Sequence, residues 1–391
     1  MGIDATEYRR DDLQAGWKPL NSTMVGGRYG LPYRLCLQKD AKEASDWALR
    51  ATTGKYYNEV DRFGFSSILN YKINKRFEWR RSFCSWVHGW KWFNVDSPLQ
   101  LGFNEYAYKS LVGRRKNAVV GNQTQKELLE SYGFKNVVIG GIPSVYLRDV
   151  VVPGMQRNRY HDKGIERDTV VILPKCQSQA PDRASLKSLV EYVNDDRGLR
   201  ERCILCVYAQ DIARESIQEI ISKQELPFII GAHPYDQYSL VRTHQLFLTF
   251  NYYITNTIGT HIPQLASMGK SVSFIDEIYD ERSEADLEPL FKGVMDKEDL
   301  RSLFERQCYV HSKEYLRSRL SFLSDPEFWR NEAIVWGQKE MGVQNVLSND
   351  QLCSVLGWTL TEAAKQLILG GAYKLERQLF LGKKGDYISK E

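Results

Sequence analysis

From residue 168 onward the chain repeats one pattern, a short unbroken apolar run followed by an amphipathic stretch. The runs are DTVVILP, RCILCVYAQ, PFIIGAHP, YYITN and SVSFID. Between them, RASLKSLVEYVND, ARESIQEIISKQ, a more polar segment and HIPQLASMG carry apolar residues at helical spacing. Runs without polar alternation suit strands covered on both faces, so the pattern predicts a parallel sheet with right-handed helical crossovers. Upstream, SFCSWVHGW reads as a strand, and KNAVVGNQTQKELLESYGFKNVVIGGIP reads as strand, helix, strand. Thr124 is the expected cap of that helix and Gly133 its stop. The stretch 151–167, VVPGMQRNRYHDKGIER, has neither period and contains Pro and Gly, which marks a linker.

The expected fold is therefore α/β, with two Rossmann-like doubly wound domains facing a cleft. Residues 1–155 would form the first domain, 168–330 the second, and 331–391 a set of helices packing back on the first. The first eighty residues yield one helix, KDAKEASDWALRAT, and a basic aromatic stretch, YKINKRFEWRR. The segment LTEAAKQLILGGAYKLERQLFLGKK has an apolar stripe flanked by Lys and Arg. It reads as a helix returning onto a neighbouring domain, or as a peripheral membrane contact.

Composition narrows the choices. A chain of 391 residues, 42% hydrophobic and 26% charged, exceeds what one core usually serves. The net charge of +4, from 53 basic and 49 acidic residues, gives no nucleic-acid stripe, and NKRFEWRR alone is a solvated face. No nucleic-acid partner is expected. Aromatic residues make up 12%, with 9 Trp and 22 Tyr, and amphipathic rings suit grooves for partly polar ligands. The 7 Cys are scattered and read as reduced cytosolic thiols. Cys203 and Cys206 form a C-x-x-C with no second pair and no His at finger spacing, so neither a metal nor a cofactor is expected. No leader-like apolar region and no membrane-length apolar run is seen. The expected location is cytoplasmic, peripheral to a membrane at most.

Candidate chemistry gathers at strand ends, where open α/β sheets bind ligands. His233 and Pro234 directly follow a buried strand, and Pro fixes the backbone that aims the imidazole at a phosphate. The alternative is a strand-end His bonded to a carbonyl. Thr255, Asn256, Thr257, Gly259 and Thr260 place hydroxyls and N–H groups before a helix, an arrangement suited to an anion, or to a capped helix with no ligand. Lys175 follows the first strand of the second half and can meet a phosphate or a sugar carboxylate. In the first half, His88 follows the β-prone run, and Gly89 lets the chain pass close to a ligand. A neutral imidazole there suits a general base for an acceptor hydroxyl, against burial among Trp86, Trp90 and Trp92. Asp96, Asp211, Asp61 and Glu105 compete for the base or nucleophile role. Gly121, Gly140 and Gly141 suit either close ligand approach or tight turns.

This arrangement resembles glycosyltransferases of the GT-B fold. In those, the C-terminal Rossmann-like domain holds the activated donor and the N-terminal one the acceptor. An HP after one strand and a hydroxyl-rich loop after the next but one is similar to the HP and S/T motifs of bacterial sialyltransferases and Kdo transferases. The resemblance spans roughly residues 80 to 280 and implies His233 on the donor phosphate of a CMP-activated acid, with Thr255, Thr257 and Thr260 around it. SWVHGWKWF resembles the WHG of teichoic-acid-type CDP-glycerol polymer transferases, which implies His88 as base. Many UDP- or GDP-sugar enzymes carry E-x-x-x-G-x-P in the last helix; here QLASMGKSV offers Gln264 and no acid. There is no D-x-D triplet. The implied function is transfer of a Kdo-like or sialic-like acid to a sugar hydroxyl of a saccharide or lipid-linked saccharide in bacterial surface polysaccharide synthesis. The alternatives are a UDP-sugar, GDP-sugar or CDP-glycerol donor, and a non-catalytic sugar- or nucleotide-binding α/β protein.

Overall fold

The computed structural model describes residues 59–73, 84–87, 89–101, 103, 117–148, 169–173, 184–212, 214–224, 226–232, 239–277, 279 and 297–359. Helix α1 (Phe65–Ile73) precedes a three-stranded parallel sheet of β1 (Cys84–Trp86), β2 (Asn117–Val120) and β3 (Asn136–Ile139), paired in the order 1-2-3. Among the described strands this first sheet has no reversal of order. Helix α2 (Gln123–Ser131) joins β2 to β3. Its cap is Asn122, not Thr124: Asn122 is extended and its Oδ1 accepts from Gln125 N at 3.0 Å. Gly133 closes the helix with φ of 86°, a conformation that costs a glycine little.

The second sheet comprises β4 (Val170–Ile172), β5 (Cys203–Val207), β6 (Phe228–Ile230), β7 (Tyr252–Thr255) and β8 (Ser271–Phe274), all parallel in the order 6-5-4-7-8. Between its strands lie α3 (Ala184–Asp195), α4 (Glu215–Gln224), α5 (Ser239–Thr249) and α6 (His261–Ser267), with one-turn helices at Arg197–Arg200 and Ala209–Ile212. The chain steps outward from β4 to β6, then returns to the other side of β4, as in Rossmann-like sheets. Strand alternation divides the core cleanly. Val170, Ile172 and Leu205 meet Leu189 of α3 and Ile217 of α4 on one face. Val171, Ile204 and Tyr253 meet Phe247 of α5 and Leu265 of α6 on the other. This double cover explains the unbroken apolar runs.

Cys203 and Cys206 fall on opposite sides of this sheet, one in each apolar layer. Residues three apart on a strand point opposite ways, so this C-x-x-C cannot chelate one ion. Burial pushes the Cys203 thiol up to about 11 and the Cys206 thiol up to about 12, which keeps both protonated as small hydrophobes.

Helix α5, polar in sequence, is mostly buried, including Arg242, His244 and Gln245. It lies where the two sheets meet. Its Val241 joins a core shared with Trp86, Tyr146 and Ile262.

The remaining helices are α7 (Lys297–Val310), α8 (Lys313–Leu320), α9 (Pro326–Asn331), α10 (Ala333–Met341) and α11 (Asn349–Leu356). Helix α10 packs on α6 at Gly337, where an added Cβ would stand 2.5 Å from Ser267 N and 2.6 Å from the Pro263 carbonyl oxygen. Past α10 the chain meets the first sheet. Ile142 N donates to the Met341 carbonyl at 3.1 Å, Leu347 N to the Tyr146 hydroxyl at 3.1 Å, and Asn117 Nδ2 to the Val355 carbonyl at 2.7 Å. The helices after residue 331 thus touch the first sheet and helix α6 of the second unit.

Candidate functional site

The carboxyl ends of β4 and β7 lie side by side at the reversal of strand order, the position where open α/β sheets bind ligands. From β7 the chain enters Thr255, Asn256, Thr257, Ile258, Gly259 and Thr260. Thr255 and Thr257 are fully buried and Asn256 is 1% exposed. The Thr255 hydroxyl donates to the Leu173 carbonyl at 3.1 Å, accepts from Thr257 N at 3.3 Å, and stands 3.2 Å from His261 Nε2. It clamps β7 to β4 and shapes the loop. The sequence suggested a ligand contact for Thr255, but the protein itself occupies its hydroxyl.

Thr257 differs. Its Oγ1 is buried with no hydrogen-bond partner, an arrangement that costs about 1–3 kcal/mol. Thr260 is half-buried, and its side chain does not cap α6, a helix of 7 residues. Instead Thr260 Oγ1 accepts from Trp90 N at 3.1 Å. A Cβ on Gly89 would stand 2.4 Å from the same oxygen, so only glycine fits there without a shift. The segment after β1 therefore touches the loop after β7, and the carboxyl edges of the two sheets meet at Gly89, Trp90 and Thr260. Gln264 sits on α6, 6% exposed, one turn from Thr260.

Other candidates separate. Asp211 is buried in the turn after β5 at the same carboxyl edge. Asp96 is exposed, with Oδ2 3.6 Å from Arg306 Nε, which makes it a surface ion pair joining the post-β1 segment to α7. Gly140 and Gly141 are packing glycines. A Cβ on Gly140 would lie 2.5 Å from Val119 Cγ1, and Gly141, at φ of 69°, would meet the Gly342 carbonyl oxygen at 2.7 Å. His88, Lys175, His233, Pro234 and Glu105, the side chain of Asp61, the linker 151–167 and the segment from residue 360 lie outside the described residues.

Two residues at this edge were not among the candidate site residues. Arg242, 3% exposed on α5, donates from Nε to the Ile230 carbonyl at 3.2 Å and from Nη2 to the Gly231 carbonyl at 2.6 Å. These charge-assisted bonds hold the end of β6 directly before His233 and Pro234 in the chain. Its only sequence signal is a cation among the inward positions of a helix. Trp90 is the other. Its Nε1 donates to Glu340 Oε2 of α10 at 2.6 Å while its backbone N–H serves Thr260. Among the described residues no cluster of three or more His, Cys, Asp or Glu side chains could hold a metal ion.

No family model matches this chain, and no curated protein sequence matches it. Solved structures similar to parts of it include the following two. S. aureus MnaA, in a co-structure with UDP, is 13% identical over 68% of this chain, which spans 63% of the MnaA chain, with a TM-score of 0.35. A glycosyltransferase from Rickettsia africae ESF-5 is 14% identical over 76% of this chain and 71% of that one, with a TM-score of 0.29. Likeness this low assigns no activity, so the chemistry must come from the site's own geometry. Among the described residues no helix is long and apolar enough to cross a membrane.

Proposed function

We propose that the chain is a glycosyltransferase of GT-B arrangement, which binds a nucleotide-activated sugar at the β4–β7 edge and an acceptor sugar on the side of the first sheet. One observation carries this reading: Trp90 N donates to Thr260 Oγ1 at 3.1 Å, so a hydroxyl-lined loop at the strand-order reversal of one parallel sheet abuts the loop leaving the other. A reaction between two substrates needs such opposed edges.

The donor we favour is a CMP-linked 2-keto-3-deoxy acid of Kdo-like or sialic-like type. Its supports are the His233–Pro234 pair after β6, the Thr255–Thr260 loop after β7, and Gln264 where many UDP- and GDP-sugar enzymes carry an acid. In this reading Thr257 and Thr260 face the donor phosphate with His233, Lys175 adds positive charge, and Thr255 and Arg242 position the loops. His88, whose neighbour Gly89 abuts Thr260, takes the proton of the acceptor hydroxyl as that oxygen bonds the anomeric carbon. The bond from that carbon to the donor phosphate breaks, and CMP leaves with the electron pair.

Thermal melting of the full chain with CMP, CDP, UDP and GDP, without added metal, tests the donor. CMP should raise the melting temperature selectively, by an amount that grows with ligand concentration, and His233→Ala should abolish the shift. A shift with UDP or GDP instead overturns the CMP donor, and no shift with any nucleotide overturns the transferase.

A further inference from the structure

Thr255, at the end of β7, is fully buried, and four groups surround its hydroxyl oxygen. The Leu173 carbonyl oxygen stands 3.1 Å away, the Thr257 carbonyl oxygen 3.3 Å, the Thr257 backbone nitrogen 3.3 Å and His261 Nε2 3.2 Å. A hydroxyl has one proton to give and two lone pairs to fill. The Thr257 N–H can only donate, so it takes the first lone pair. The two carbonyls can only accept, and the nearer, that of Leu173, takes the proton. What remains for His261 Nε2 is the second lone pair, which requires that this ring nitrogen itself carry a proton. With Nε2 bare, ring and carbonyls would compete for one proton, and a lone pair would be left unfilled on a group shut away from water. The inventory of donors and acceptors thus makes the imidazole an Nε2–H donor, whichever state its other nitrogen adopts.

His261 is placed to hold this arrangement. It opens α6, is half-buried, and its ring reaches back six residues along the chain, the direction in which helical side chains lean. Thr255 in turn ties β7 to β4 across the reversal of strand order and closes a tight turn onto Thr257. The consequence falls on Thr257. Its backbone N–H is spent on Thr255, whereas its own hydroxyl is buried and makes no hydrogen bond. Were the Thr255 proton drawn to the imidazole instead, the hydroxyl link to Leu173 would be lost, and with it the brace that fixes where Thr257 points.

We infer that His261 is a positioning residue of the loop after β7: its Nε2–H, donated to Thr255, keeps the Thr255 proton on the Leu173 carbonyl and so holds the Thr257 hydroxyl ready for a ligand. His261 acts through Thr255 and need not touch that ligand. That the ligand is a nucleotide rests on the function proposed above; the direction of the hydrogen bonds does not.

The test joins a spectrum to a set of variants of the full chain. With histidine labelled in 15N, long-range 1H–15N correlations show which ring nitrogens carry protons, and the signals missing from His261→Gln belong to His261. Its Nε2 should carry a proton at about pH 8, and a proton on Nδ1 alone overturns the inference. Glutamine can present a side-chain N–H close to where Nε2 stands, asparagine only nearer to Nδ1. Hydrogen exchange of peptides covering residues 255–260, without ligand, should therefore match wild type in His261→Gln and run about tenfold faster in His261→Asn and His261→Ala. Equal exchange in the Gln and Asn variants overturns the inference too. Whichever of CMP, CDP, UDP and GDP most raises the wild-type melting temperature should bind His261→Gln within about threefold of wild type and His261→Asn about tenfold more weakly. Should the Asn and Ala variants fail to fold, the wild-type spectrum and the affinity of His261→Gln still decide. If no nucleotide binds wild type while the Nε2 proton and the exchange pattern stand, the donor reading alone falls. If a nucleotide binds wild type and every variant equally, the positioning role alone falls.

Discussion

Thr257 and His244 show how a single side chain reports on the site and on its surroundings. The Thr257 hydroxyl is buried and has no hydrogen-bond partner, so Thr257→Val removes a desolvated group and fills the same space. Chemical denaturation should show stability unchanged or raised by up to about 1 kcal/mol. CMP affinity should fall by about tenfold, and a variant that loses stability but binds CMP normally would remove Thr257 from the site. His244, 6% exposed on α5, is held neutral, its pKa lowered from 6.5 to about 4 by burial and then by the Arg148 charge. Below pH 6.5 the unfolded chain takes up a proton that the folded chain refuses, so stability is level above that pH and falls from 6.5 towards 4. The loss amounts to about 3 kcal/mol over the window. His244→Gln should flatten that part of the profile, and a constant difference between wild type and variant from pH 7 to 4.5 would contradict the assignment.

Helix α10 sets local preference against tertiary contact. Glycine within a helix is unfavourable by about 1 kcal/mol relative to alanine, so propensity alone recommends Gly337→Ala. The added methyl would instead meet backbone atoms Ser267 N and Pro263 O at 2.5 and 2.6 Å, and backbone cannot yield as a flexible side chain would. Forced overpacking costs about 1–3 kcal/mol, so the variant should unfold at lower denaturant, and a stabilised variant would show that α6 and α10 can separate. The cap of α2 gives a smaller case. Asn122→Ala leaves Gln125 N without its side-chain acceptor, for a loss of about 1 kcal/mol, measurable as a shift in denaturation midpoint.

The molecule as a whole is tied together by a core that does not respect the boundary between its sheets. Trp86 and Tyr146 of the first, Val241 and Ile262 of α5 and α6, and Leu352 and Trp358 near the end of the described chain belong to one apolar cluster. Tyr146 concentrates this linkage, since its hydroxyl donates to the Gly140 carbonyl at 2.8 Å and accepts from Leu347 N at 3.1 Å. Unfolding followed by tryptophan fluorescence and by far-ultraviolet circular dichroism should therefore coincide in one transition. Two separated transitions would mean that the sheets melt as independent units.

The one-turn helices at Arg197–Arg200 and Ala209–Ile212 could not be read from the chain. The five strands and four longer helices of the second sheet could, the central strands because double burial leaves an unbroken apolar run, a signal local to a few residues. The hydroxyl loop was legible for the same reason, since its residue types sit directly after such a run. The roles within it were not: Thr255 turns to Leu173, distant in sequence by 82 positions, and no local pattern says which of three threonines keeps its hydroxyl free. Helix α5 looked polar because Arg242, His244 and Gln245 are judged alone by sequence, whereas the junction supplies carbonyl partners for Arg242 and burial for all three. The Trp90 contacts with Thr260 and Glu340 join residues from 90 to 340 and leave no periodic trace. Local periodicity, then, follows from which faces are buried and is written in the chain; pairing between distant segments depends on how whole elements pack, and only folding settles it.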